Sequence, residues 1–182
     1  MAVLTLVLGG MRSGKSRFAE SLARAEPRVI YLATARAGDS EMMDRIAVHR
    51  QRRPSSWRTM EEPWDVAAAL AALARPSEGQ GPEPCILLEC LSLWLTNLLV
   101  GLPERPGLDD IAIAGEVDDL LEAVRAGTGR VIVVSSEVGC GLLPANALAR
   151  RFGDLLGEAN QRLAAEATEV HSCLAGIPVR IK

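Results

Sequence analysis

The sequence predicts an α/β fold in which helices flank a mostly parallel sheet. Strand-like apolar runs alternate with helix-like segments along the whole chain, and this alternation is typical of parallel sheets with helical crossovers. The first apolar run, residues 3–8, leads directly into a glycine-rich loop and then a helix. The 182 residues are 48% hydrophobic, enough for one sizeable core, and we therefore expect a single domain over residues 1–182.

The loop after the first strand carries a complete phosphate-binding pattern. Residues 9–16 read G-G-M-R-S-G-K-S, in which backbone N–H groups surround phosphate oxygens, Lys15 reaches the β- and γ-phosphates and the Ser16 hydroxyl binds Mg²⁺. The next helix points its positive N-terminal end at the anion. We therefore expect a P-loop that binds a nucleoside triphosphate with Mg²⁺. The residues predicted to contact it are Gly9, Gly10, Met11, Arg12, Ser13, Gly14, Lys15 and Ser16.

The remaining elements follow from hydrophobic periodicity and from helix start and stop signals. Ser40 is predicted as the N-cap of a polar helix that Pro54 ends. A linker-like run over residues 76–84 is too short to mark a domain boundary by itself. The predicted strands cover residues 3–8, 28–34, 57–60, 85–89, 130–135, 170–173 and 177–181, and the predicted helices cover residues 17–23, 40–53, 64–74, 91–100, 109–125 and 146–167.

Composition excludes several classes of protein. A net charge of −3 and a pI near 5.5 argue against nucleic acid as the main partner. No run approaches 18 unbroken apolar residues and no signal peptide is evident, so we expect a cytoplasmic protein without a membrane span. The four cysteines lack metal-binding spacing, and we expect them to be reduced and mostly in the core.

Glu89 is the second candidate site residue. It ends the predicted strand over residues 85–89, and a strand that ends in a carboxylate downstream of a P-loop resembles a Walker B element, whose acid organises Mg²⁺. Ser16 and Glu89 are therefore the predicted metal-site residues. The alternative interpretation is that Glu89 only marks the end of a strand.

A basic cluster around His49 is the third candidate. Arg45, His49 and Arg53 follow one another at spacings of four, so they share a helix face. Forked guanidinium groups suit phosphate oxygens. We expect Arg53 to be polar surface at the exit of this helix. The alternative is a solvated basic helix with an incidental histidine. His171, which shows no nearby charged partner in its strand pattern, is interpreted as structural.

These motifs together resemble the bifunctional adenosylcobinamide kinase and adenosylcobinamide-phosphate guanylyltransferase family of cobalamin biosynthesis. The resemblance runs nearly end to end, and the basic helix followed by Arg53, Pro54 and Trp57, combined with the S-E-V-G run over residues 136–139, is its most specific part. The other matching segments are the P-loop and residues 31–35, 45–49, 86–90, 96–99 and 160–164.

The resemblance implies two reactions at one nucleotide site. ATP or GTP phosphorylates the aminopropanol arm of adenosylcobinamide; His49 then attacks the α-phosphate of GTP, and the corrinoid phosphate displaces GMP from the histidine. It also implies a RecA-like fold and a homo-oligomer, typically a homotrimer. Besides the P-loop, the implied nucleotide contacts are Ala33, Thr34, Ala35, Arg50, Gln51, Arg52, Arg53, Glu89 and either Glu61 or Glu62, of which Glu61 is favoured by its distance from Trp57.

The chain departs from the family pattern at three positions. Val48 stands where many members carry a second histidine, which leaves His49 as the sole candidate nucleophile. Ser136 stands where the family often has asparagine, and Met11 replaces a small residue in the P-loop. A role borrowed from that asparagine does not transfer directly to Ser136, because the serine side chain is shorter.

Three other functions fit parts of the sequence. A regulatory GTPase would need an N-K-x-D type motif, and no Asn-Lys pair occurs. A P-loop small-molecule kinase without guanylyl transfer is the main alternative, since the P-loop and Glu89 would suffice for it. A non-catalytic ATP-binding module would show no nucleotide turnover with adenosylcobinamide. His49 separates the bifunctional enzyme from the kinase, because a simple kinase needs no nucleophile.

Overall fold

Seven strands form one sheet in the computed structural model, which describes residues 1–36, 38, 40–75 and 82–182. The sheet order is β3-β2-β4-β7-β1-β8-β9, and a two-residue pair, β5-β6, stands apart. The strands are β1 (Val3–Gly9), β2 (Val29–Ala33), β3 (Arg58–Glu61), β4 (Cys85–Glu89), β5 (Gly101–Leu102), β6 (Arg105–Pro106), β7 (Arg130–Val134), β8 (Glu169–Leu174) and β9 (Ile177–Arg180).

The helices agree with the predicted ones except near their ends. They are α1 (Lys15–Ala23), α2 (Ser40–Arg52), α3 (Val66–Leu73), α4 (Leu91–Val100), α5 (Asp110–Ala126) and α6 (Ala147–Glu166). Asp109 and Asn146 are N-caps, whose side chains accept hydrogen bonds from Ala112 and Leu148 N–H groups at 2.8 Å. Ser40 is the first helical residue rather than the N-cap. Most of the predicted 76–84 connection lies outside the described residues.

The α/β prediction is confirmed by the strand pairing. All neighbouring strands in the sheet run parallel except β8 and β9. Alternate residues of β7 face opposite sides: Val131 and Val133 join the larger core under α3 to α6, whereas Ile132 and Val134 join a smaller core beneath α1. Burial on both faces explains why the strands read as continuous apolar runs.

The topology places the carboxyl ends of β1, β2, β4 and β7 along one side of the sheet, the side at which these parallel strands end. The P-loop follows β1, and β7 separates β1 from β4. Ligands of open parallel sheets bind at this side, where strand order reverses. Residues from several distant parts of the sequence therefore converge there.

Two predictions from composition can be compared with the structure. All four cysteines are free; Cys85 and Cys173 are buried, whereas Cys140 is exposed, so the expectation of mostly core cysteines holds only in part. Of the helices that the structure describes, none has the length and apolarity that a membrane crossing requires.

Candidate functional site

The phosphate loop joins β1 to α1, and two of its glycines leave no room for a side chain. A Cβ atom on Gly9 would lie 2.4 Å from Oγ of Ser13, and one on Gly14 would lie 3.0 Å from the Cα atom of Gly176. Gly14 also adopts φ +93°, a left-handed conformation that favours glycine. Lys15 Nζ donates a hydrogen bond to the Gly10 carbonyl at 3.1 Å, so its ammonium group lies over the loop.

Glu89 ends β4, and its carboxylate accepts a hydrogen bond from the Ser16 hydroxyl. Its Oε2 atom is buried and has no hydrogen-bond partner among the described residues. Burial raises the pKa of Glu89, while the Ser16 hydrogen bond opposes that shift. A buried carboxylate oxygen without a donor, beside a serine hydroxyl, fits the oxygen coordination of Mg²⁺.

His49 lies in the last turn of α2 and faces the same cavity as Lys15. Burial, followed by the positive charges of Arg52, Arg53 and Lys15, lowers the pKa of His49 to about 4. The imidazole is therefore neutral at pH 7 and keeps a free lone pair. The Nη2 atom of Arg52 lies 3.2 Å from Nδ1 of His49.

The arginines predicted to hold phosphate groups already have partners. Arg50 forms an exposed ion pair with Glu61. Arg52 pairs with Glu20 at 3.2 Å. The Arg53 guanidinium carbon lies 3.4 Å from the centre of the Tyr31 ring.

Arg53 differs from its predicted environment. The expectation that it is polar surface is wrong, because the residue is half-buried and its Nε atom is buried without a partner among the described residues. The predicted shared face of Arg45, His49 and Arg53 is not tested for Arg45, because its side chain lies outside the described part of α2.

Two side chains that were candidates for nucleotide contact form hydrogen bonds within the protein. The Thr34 hydroxyl donates to the Cys90 carbonyl and accepts from the Cys90 N–H, both at 2.8 Å, and so joins the ends of β2 and β4. Glu62 accepts hydrogen bonds from the Trp64 and Asp65 N–H groups at 2.9 Å. Glu61, not Glu62, lines the cavity.

One cavity of about 880 Å³ brings most of the predicted residues together. Gly9, Gly10, Thr34 and Gln51 do not line it. The predicted residues that do are Met11, Arg12, Ser13, Gly14, Lys15, Ser16, Ala33, Ala35, His49, Arg50, Arg52, Arg53, Glu61 and Glu89.

Another part of the cavity wall is formed by residues that were not among the predicted site residues. It is formed by Leu93 and Thr96 on α4, Val138 after β7 and Phe152 on α6. Ser136 also lines it, and its hydroxyl accepts a hydrogen bond from Ser92 at 3.0 Å. No spacing in the sequence links these residues, because α4 and α6 meet only in the folded chain.

His171 lies outside this cavity, on β8. Its ring packs edge-on against Phe18 with centroids 5.0 Å apart. The expectation that it lacks a charged neighbour is wrong, since Glu169 Oε2 lies 3.7 Å from its Nε2 atom. The two residues are on the same face of β8, where strand periodicity places alternate side chains.

A family model described as "Cobinamide kinase / cobinamide phosphate guanyltransferase" matches residues 5–181. The chain is 45% identical over 179 residues to the "Bifunctional adenosylcobalamin biosynthesis protein CobP" of Pseudomonas aeruginosa, covering 97% of this chain and 96% of the relative. It is 41% identical over 187 residues to the "Bifunctional adenosylcobalamin biosynthesis protein CobU" of Salmonella typhimurium, covering 99% and 100%.

Solved structures with similar folds are P-loop NTPases. A "prototypical ATPase from the type III secretion system of pathogenic bacteria" matches with a TM-score of 0.54 and 13% identity, over 93% of this chain and 50% of that one. The "unique ATP synthase subunit NeqB from Nanoarcheaum equitans" matches with a TM-score of 0.54 and 10% identity, over 94% and 45%. This chain thus spans about half the length of each. At this identity the likeness shows the P-loop fold alone.

Proposed function

This chain belongs to the cobinamide kinase / cobinamide phosphate guanyltransferase family, and we propose that His49 carries the guanylyl group between GTP and the corrinoid. The chain is a bifunctional enzyme of adenosylcobalamin biosynthesis: it phosphorylates cobinamide and then transfers a guanylyl group to cobinamide phosphate. The observation that carries the proposal is that His49 and the P-loop lysine line one cavity.

The kinase step needs only positioning and neutralisation of charge. The P-loop N–H groups and the Lys15 ammonium bind the β- and γ-phosphates. The corrinoid hydroxyl attacks the γ-phosphorus and gives up its proton, the bond from that phosphorus to the bridging oxygen breaks, and the nucleoside diphosphate leaves with the electron pair. Ser16 and Glu89 would hold Mg²⁺ with the nucleotide, and the buried Oε2 of Glu89 supports this assignment. Bound Mg²⁺ would offset negative charge on the phosphates. No enzyme nucleophile takes part in this step.

The guanylyl-transfer step divides one displacement into two. A neutral imidazole nitrogen of His49 attacks the α-phosphorus, the bond from that phosphorus to the bridging oxygen breaks, and pyrophosphate leaves with the electron pair. An oxygen of cobinamide phosphate then attacks the same phosphorus and displaces the histidine. The lowered pKa of His49 supports this role, because only the unprotonated ring has a lone pair to donate.

The corrinoid arm is proposed to bind along the part of the cavity wall that α4, α6 and the segment after β7 form. Leu93, Val138 and Phe152 present apolar surface there, and Thr96 and Ser136 add hydroxyl groups. An aliphatic arm that ends in a hydroxyl or phosphate matches this mixture of apolar contacts and hydrogen-bonding groups.

A homo-oligomer, and specifically a trimer, is also part of the proposal. The edge hairpin β8-β9 exposes apolar side chains at Leu174, Ile177 and Val179, and Ile181 directly after β9 is also exposed. Such a surface on an edge strand suits contact with a second copy. Light scattering after size exclusion measures the mass; a monomer would contradict this part.

The deciding experiment uses GTP labelled at the α-phosphate. The protein is incubated with it and run on a denaturing gel, beside His49→Ala and the control His171→Ala. We expect label on wild type and on the control but not on His49→Ala, while all three phosphorylate cobinamide. The adduct should survive alkali and be lost in acid, as a phosphorus–nitrogen bond requires. If His49→Ala is still labelled, the nucleophile is a residue other than His49.

A further inference from the structure

Glu20 is a buried carboxylate that the phosphate loop does not use. It lies on α1, the helix that follows the P-loop, and only 3% of the residue is exposed. Buried charges in proteins are normally paired, because an isolated one is costly. The partner of Glu20 is Arg52 near the end of α2, with Oε1 and Nη2 3.2 Å apart.

The same Arg52 nitrogen also touches His49. Nη2 lies 3.2 Å from Nδ1 of the imidazole. A guanidinium group has donors only, so Nδ1 must be the acceptor and must carry the lone pair. In a neutral imidazole the other nitrogen then carries the proton. The contact therefore selects the tautomer with hydrogen on Nε2, in which Nε2 cannot act as a nucleophile.

A second contact holds the same end of α2 against α1. Arg24 Nη2 donates a hydrogen bond to the backbone carbonyl of Arg52 at 2.7 Å. Glu20 therefore pairs with the guanidinium group of Arg52, and Arg24 binds the backbone carbonyl of Arg52. Glu20 lies on α1, whose first turn contains the last residues of the P-loop, and Arg24 is the C-cap of α1. The P-loop and His49 are therefore linked through the contacts between α1 and Arg52.

We propose that Nδ1 is the atom of His49 that attacks the α-phosphate, and that Arg52, positioned by Glu20, covers its lone pair until a phosphate oxygen takes over the guanidinium donors. This inference rests on the proposed role of His49 as guanylyl carrier. Glu20 is a positioning residue, since it acts through Arg52 and is not among the residues that line the cavity.

The exchange of partners brings the reacting atoms together. Guanidinium groups bind phosphate oxygens through forked donors. An α-phosphate oxygen that binds Arg52 would lie beside the nitrogen that Arg52 has just uncovered. The Nδ1 lone pair forms the N–P bond, the electron pair of the broken P–O bond leaves on pyrophosphate, and Nε2 keeps its proton. On transfer to the corrinoid phosphate the lone pair returns to Nδ1.

The first test identifies the modified nitrogen in folded protein. The histidine rings are labelled with ¹⁵N, GTP is added, and long-range ¹H–¹⁵N spectra are recorded, with His49→Ala used for assignment between the two histidines of the chain. Nε2 couples to both ring C–H protons, whereas Nδ1 couples strongly to one. We expect ³¹P coupling at Nδ1. An adduct at Nε2 overturns this inference alone, and absence of any adduct overturns it together with the proposed guanylyl carrier.

The second test separates positioning from folding. Glu20→Gln keeps the size of the side chain and removes its charge; Glu26→Gln is the matched control, since Glu26 is on the same segment and pairs with Arg130 instead. We expect Glu20→Gln alone to give a mixed His49 tautomer in the free enzyme and about tenfold slower adduct formation, with cobinamide phosphorylation within about twofold of wild type. An unchanged tautomer and adduct rate in Glu20→Gln would overturn the assignment of Glu20.

Discussion

The guanidinium carbon of Arg53 lies 3.4 Å from the centre of the Tyr31 ring, and this contact joins the exit of α2 to the second strand. Tyr31 is 1% exposed, and both Tyr31 and Arg53 line the cavity that contains His49 and Lys15. The stack gives Arg53 a packing role in addition to its charge. A substitution at this position therefore acts on stability as well as on nucleotide binding.

Arg53→Ala should lower the free energy of unfolding by about 1 kcal/mol, because a partly desolvated cation–π contact contributes that much. A double-mutant cycle with Tyr31→Leu should give a coupling energy of similar size in chemical denaturation. Arg58→Ala, an exposed arginine on β3, is the control and should change stability by less than about 0.5 kcal/mol. A coupling energy near zero would show that the stack does not stabilise the fold.

Lys15→Ala should stop both reactions together. The ammonium group lies over the phosphate loop, and removing a charge that stabilises developing phosphate charge costs about 100-fold or more in rate. Kinase activity with γ-labelled nucleotide and adduct formation with α-labelled GTP are measured in parallel. Arg75→Ala, an exposed cation after α3, should leave both rates unchanged. A near wild-type rate for either reaction in Lys15→Ala would mean that its nucleotide binds elsewhere.

Gly14→Ala should destabilise the nucleotide-free protein by about 1–2 kcal/mol, the cost of a left-handed conformation for an L-residue. The added Cβ would also lie 3.0 Å from the backbone of Gly176, which cannot move as a side chain can. Gly10→Ala is the matched control in the same loop, because a Cβ there meets no atom of the described residues within 4 Å. Thermal unfolding without nucleotide compares the two. Equal stability losses would contradict the argument.

His49 should make stability depend on pH below neutrality. Its folded-state pKa, about 4, is lower than the ordinary value of 6.5, so the unfolded chain binds a proton first as pH falls. The stabilising contribution is complete above pH 6.5 and declines as the pH falls from there towards 4. Unfolding free energies of wild type and His49→Ala, measured from pH 8 to pH 5, should therefore diverge below about pH 6.5. Parallel curves would show an unshifted histidine.

Much of the fold follows from local sequence. The bounds of β4 and α4 are as predicted, because a short apolar strand and the apolar helix after it can be identified from the local sequence alone. The hairpin β5-β6 was missed, since two residues per strand carry no periodicity. Asp109 and Asn146 were placed inside helices although they cap them, which reflects the usual uncertainty at helix ends.

One part of the candidate site also follows from local sequence, and the other part depends on the folded structure. The P-loop is recognisable from eight consecutive residues, because each has its role through backbone geometry and local chemistry. The contacts of Glu20 with Arg52 and of Tyr31 with Arg53 join residues far apart in sequence. No pattern along the chain predicts such pairs, because they depend on how α2 packs against α1 and β2.

The sequence by itself therefore determined the α/β class and the phosphate loop, since these depend on residue type and short spacing, and its resemblance to the family implied His49 as the candidate nucleophile. Only the tertiary structure shows that Glu61 lines the cavity, whereas the Glu62 carboxylate accepts hydrogen bonds from the N–H groups before α3. The tertiary structure also places Nη2 of Arg52 3.2 Å from Nδ1 of His49. Side-chain direction at a shared cavity is set by packing between elements, and that packing is not encoded in any single segment.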